Sequence, residues 1–119
     1  MAEVKLRANQ RDGFVFEAYA VASSKVENIK RLAKHCVSDP ERGPRLDEIY
    51  RRVRNLREAA RKRLDPFEEI CADLYDTRGM DRKEIDALLK ERDKLVGEIF
   101  AKLYRIDIAS QAARNVLGG

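Results

Sequence analysis

The chain has 119 residues, room for one domain with its own core and too few for two. Its charged fraction, 39%, exceeds the roughly 25% of ordinary globular domains, and it has only three Pro and six Gly. That balance speaks against a low-complexity chain and for long helices with broad solvated faces. A net charge of +4 names no nucleic-acid partner by itself, and no run reaches the roughly 18 apolar residues of a membrane span.

Residues 1–10 are polar and show no apolar seam, so they read as frayed or as a short lead-in turn. From Gly13 the pattern turns helical. Val15, Tyr19, Ala22, Val26, Ile29, Ala33 and Cys36 alternate spacings of four and three, which marks a helix packed lengthwise on another. Phe14 and Phe16 flank the start of this seam. The spacing predicts a first helix over about 13–37, ended by the Pro- and Gly-containing stretch 38–44.

A second seam follows over about 45–77. Leu46, Val53, Ala60, Phe67 and Leu74 recur at heptad spacing, with Ile49, Leu56, Leu64, Ile70 and Cys71 filling the other half of the stripe. Asp65-Pro66 has the chemistry of a helix start. The heptad keeps its phase across the proline, however, so one helix kinked near Pro66 is favoured over two. Gly79 suits a left-handed turn, and Asp81 with Glu84 reads as a capping box. The last helix is expected over about 82–117, roughly 54 Å long at 1.5 Å per residue.

Folding the last two stretches about the turn at 79–80 sets Leu74 against Ile85, Ala60 against Ile99, Val53 against Ile106 and Leu46 against Ala113. Apolar thus meets apolar throughout, except where Phe67 meets Arg92. Arg92 is expected to lie over that ring with Glu68 or Glu69 close by, or simply to snorkel at the seam's rim. The fold predicted for residues 1–119 is therefore all-α and single-domain. It is an antiparallel helical bundle with coiled-coil-like packing, of three long helices, or four if Pro66 breaks the second.

Two surfaces draw functional readings. The last helix is longer than the first, so its far end (Leu103, Ile106, Ala109, Ala113 and Leu117) is expected to lack cover within the monomer. It would then serve as a partner or homodimer interface. Residues 45–63 carry eight basic and three acidic groups. Arg51, Arg54, Arg57, Arg61 and Lys62 are candidate phosphate or nucleic-acid contacts. Five acids follow in 64–77 with no basic residue among them, and no aromatic platform accompanies the arginines. The plainer reading is a solvated helix whose charge is balanced nearby.

Chemistry is harder to find. Cys36 and Cys71 have neither metal nor redox spacing and both suit a seam. His35 and Cys36 are sequence neighbours pointing about 100° apart, which is not a nucleophile pair. No Gly-rich phosphate loop, serine triad or zinc spacing occurs, so neither an enzyme nor a metal or other cofactor is expected. With no secretory h-region at the start, a reduced cytoplasmic setting is the simplest expectation.

The stretch Asp86-Ala87-Leu88-Leu89-Lys90-Glu91-Arg92-Asp93-Lys94-Leu95-Val96-Gly97-Glu98-Ile99 resembles helices of the small flagellar export chaperones of the FlgN and FliT type. The resemblance covers these 14 residues and implies a short, all-helical cytosolic chaperone that binds an amphipathic helix of an export substrate. It carries over no individual functional residue, and that family does not account for the basic stretch 45–63. The function read from the sequence is a helical protein–protein interaction module, adaptor or chaperone-like, that binds itself or a partner helix. Nucleic-acid binding through 45–63 is the alternative.

Overall fold

A computed structural model describes residues 2–118, with side chains from Gly13 onward. Three helices follow one another: α1 over Ala2–His35, α2 over Arg42–Tyr75 and α3 over Arg82–Gly118. The bundle is a rod of 62 × 21 × 17 Å with a Cα radius of gyration of 18.4 Å. A compact domain of this length would have about 13–14 Å.

The ends of the helices follow local chemistry. Asp39 caps α2 from outside it, its carboxylate accepting the backbone N–H groups of Glu41 and Arg42, each at 2.9 Å. These two donors hold the Asp39 carboxyl below its ordinary pKa, the Arg42 bond contributing most. α2 therefore begins at Arg42 rather than near 45, with Pro44 in the first turn, where a helix needs no N–H. Gly43 is buried against the end of α1, and a Cβ there would stand 2.5 Å from the Cys36 carbonyl oxygen. At the second turn Gly79 takes φ +84°, and Asp81 caps α3 by accepting the Glu84 N–H at 2.8 Å. Both features match the sequence pattern.

α2 continues unbroken through Pro66. The proline ring lies on the exposed face, while Leu64 and Phe67 on either side are buried. The seam therefore stays in phase, and the bundle has three helices. α1 begins at Ala2, so helical backbone runs through 2–10, where the sequence suggested fraying or a turn.

The core is one cluster drawn from all three helices. Val15, Ala22, Val26 and Ile29 come from α1, and Leu46, Val53, Ala60, Leu64 and Phe67 from α2. α3 supplies Leu95, Ile99, Leu103, Ile106, Ala109, Ala113 and Val116. Every residue of the expected hairpin pairs is buried except Leu74 and Ile85 beside the turn, which are half-buried.

Among the described residues, one ion pair spans each helix interface. Arg57 meets Glu27 at 2.9 Å between α2 and α1, Arg63 meets Glu98 at 2.7 Å between α2 and α3, and Lys25 meets Asp107 between α1 and α3. In each case the hydrogen bond from the cation holds the acid below its ordinary pKa. These pairs also set the levels: α1 runs antiparallel to α2 and parallel to α3, with Lys25 level with Asp107.

Candidate functional site

That level decides the fate of the expected dimer interface. With Lys25 beside Asp107, the second half of α1 lies alongside the last turns of α3. Val26, Ile29, Ala33 and Cys36 pack into the core there. Leu103, Ile106, Ala109 and Ala113 are therefore buried inside the monomer, and Leu117 is half-buried against the same cluster. The expectation of an uncovered stripe at these five positions is corrected. It assumed that a shorter α1 would leave the end of α3 bare, whereas the C-terminal half of α1, which ends at His35, lies level with it; the axial level of the two helices, and not the length of α1, provides the cover.

Arg92 also departs from expectation. It is buried, at 8% exposure, but Phe67 meets the ring of Phe16, with centroids 5.9 Å apart. The carboxylate beside Arg92 is that of Asp93, 3.9 Å away, rather than Glu68 or Glu69. A separation of 3.9 Å is too long for a strong charge-assisted hydrogen bond.

The basic candidates divide. Arg57 is committed to the α1 junction, donating to Glu27 and, at 3.4 Å, to the Ser23 hydroxyl. Arg51 pairs with Asp47 one turn back at 3.1 Å, and the Arg54 guanidinium stands 5.8 Å from the centre of the Tyr50 ring. Arg61 and Lys62 are exposed. At about 100° per residue the five fall within roughly 140° of one broad outward face of α2, with Arg57 at its edge turned to α1.

The apolar surface that remains open lies elsewhere. Phe14 (62% exposed), Val21 (57%) and Tyr104 (67%) stand along the groove between α1 and α3. Phe14 stacks on the half-buried Phe100, with centroids 6.2 Å apart and planes 24° from parallel. Ala18, Ala22 and Leu103 line the floor, and Glu17 and the Lys25–Asp107 pair are the charges along it. Tyr104 and Ile108 (53% exposed) are one turn apart on α3, so they neighbour each other on its outer surface. Ile108 opens onto a second groove, between α2 and α3, with Ile49, Leu56, Ala109 and Ala112. Sequence reasoning missed both grooves. Phe14 flanks the first seam and Tyr104 follows Leu103 of the last, but their exposure depends on how α1 and α3 meet, which periodicity does not encode.

Among the described residues, no group of three or more His, Cys, Asp or Glu side chains gathers as a metal site. No helix is long and apolar enough to cross a membrane. Comparison with protein-family models, with curated proteins and with solved structures returned no significant match.

Proposed function

We propose that this protein is a helical protein–protein interaction module, adaptor or chaperone-like. Its α1–α3 groove takes an amphipathic helix, from a partner or from a second copy. The observation that carries this reading is the exposure of Phe14, Val21 and Tyr104 on a bundle whose core is already complete without them. Fully burying one such side chain contributes about 1.5–3 kcal/mol. A contiguous exposed apolar strip of this kind is characteristic of a binding surface. The groove's long, shallow form suits a helix, and its few charges leave apolar contact to supply most of the affinity. The resemblance of 86–99 to flagellar export chaperones fits this reading, since such a chaperone holds an amphipathic helix. A cytoplasmic setting is part of this proposal.

Light scattering on the purified chain, combined with crosslinking and pull-down in its native host, tests the reading. The double variant Phe14→Ser/Tyr104→Ser should fold normally and lose either self-association or a captured protein. A wild-type chain that stays monomeric and captures nothing the variant fails to capture would sink it. Nucleic-acid binding is the alternative, supported by the exposed Arg61 and Lys62; it requires salt-dependent binding to duplex or single strands.

A further inference from the structure

We infer that the α2–α3 groove is a second docking site, selective for an amphipathic helix that carries acidic residues on both sides of its apolar stripe. The floor is Ile49, Leu56, Ile108 and Ala109, and the rims carry Arg52 on α2 and Arg105 on α3. Among the described residues, no carboxylate lines the groove. Arg52 has only Glu48 near it, at 3.8 Å, and Arg105 makes no ion pair among the described residues. Two under-used guanidiniums thus face each other across an apolar trough.

A helix fits this shape. The floor follows both helices for about two turns, and small side chains on α3 let a third backbone approach to the usual 8–10 Å. Two turns beyond Leu56 the Arg63–Glu98 pair bridges α2 and α3, while at the other end Arg45 lies one turn before Ile49 on α2. An apolar stripe on the incoming helix would cover Ile108 and Leu56, and flanking Glu or Asp residues would reach Arg52 and Arg105. Charge complementarity of this kind chiefly sets specificity and orientation.

A second copy of the chain is a poor occupant. Its acidic run (Asp65, Glu68, Glu69 and Asp73) is exposed on a helix whose exposed side-chain neighbours are Pro66, Ala72 and, at the helix end, Tyr75, a single large apolar group rather than a stripe. A nucleic-acid backbone is a poor one too, because it would leave the apolar floor against phosphates. The inference goes beyond the α1–α3 reading and does not depend on it.

The test uses the intact chain and two synthetic helical peptides with the same leucine stripe, one flanked by glutamates and its twin by lysines. Fluorescence anisotropy at about 0.1 M salt should show the glutamate peptide binding at least about tenfold more tightly. Arg52→Glu/Arg105→Glu, both exposed, should reverse that preference with an unchanged melting curve. Ile108→Ser should weaken the glutamate peptide, whereas Phe14→Ser/Tyr104→Ser should leave it unaffected, which separates this groove from the other. Equal binding of the two peptides, binding of neither, a preference that survives the double arginine variant, or displacement of the peptide by duplex DNA would each overturn the inference.

Discussion

Single residues in this bundle carry opposite costs that the same substitution can expose. Gly43 and Gly97 are both helical, but Gly43 meets the Cys36 carbonyl whereas nothing lies within 4 Å of a Cβ placed on Gly97. Gly43→Ala must push α1 and α2 apart and should cost about 1–3 kcal/mol, as overpacking does. Gly97→Ala should stabilise by up to about 1 kcal/mol through helix propensity alone. Urea melts of the two variants should therefore move in opposite directions, and a stabilised Gly43→Ala would refute the close contact. Arg92 is the other anomaly. A buried guanidinium whose one carboxylate among the described residues stands 3.9 Å away carries a desolvation cost. Arg92→Met, similar in reach and apolar, should raise the melting temperature by an amount equivalent to about 1 kcal/mol or more.

At the scale of elements, α2 keeps its 34 residues helical across a proline. Its proline is exposed and the backbone around it is helical, so its ring and missing N–H are paid for without any visible return in packing. Pro66→Ala should therefore stabilise the protein, by up to about 3 kcal/mol on the propensity scale, and a loss of stability would show that the proline sets a bend the core requires. The interfaces between elements carry a pH signature. Glu27, Glu98 and Asp107 have folded pKa values below their ordinary ones because each accepts a hydrogen bond from a cation on another helix. Their contribution is present above the ordinary carboxylate pKa, about 4, and is lost as the pH falls through the lower folded values. All three carboxylates are well exposed, so each effect is small and salt-sensitive. Melting curves of wild type and Glu27→Gln/Glu98→Gln should differ at pH 7 and converge below about pH 4.

At the scale of the whole molecule, the buried set is thin and shared by all three helices, so one wrong side chain has nowhere to retreat. Ile106 is fully buried about two thirds of the way along α3. Ile106→Glu should abolish the cooperative thermal transition in circular dichroism rather than dissociate an oligomer, because an unpaired buried charge costs a large part of a domain's 5–15 kcal/mol. Much of this architecture was legible in the sequence. The heptad running from Leu46 to Leu74 and its mirror from Ile85 to Ala113 specified the hairpin, and the chemistry of Gly79 and Asp81 specified its turn. Two kinds of information were missing. Periodicity shows which face of a helix is apolar but not how far along a neighbour it slides. A few residues of axial position, set by Lys25 and Asp107, turned Leu103 through Ala113 from a bare surface into core. Periodicity also counts Phe14 and Tyr104 only as neighbours of a seam, while their places along the open α1–α3 groove leave them in water. Helix identity is a short-range property, whereas the candidate site arises between helices.

The close approach of Gly43 to Cys36 also bears on how this molecule could be watched. It fixes one thiol level with the start of α2, and the other, Cys71, lies 28 positions further along that helix. At 1.5 Å per residue the two thiols are about 42 Å apart, far beyond the span of a disulfide. The native chain therefore carries a pair of labelling sites at a separation suited to energy transfer or electron–electron dipolar spectroscopy. Because that line of sight runs past Pro66, the distance and its spread would report the straightness of α2 in solution and any change in it when either groove is filled.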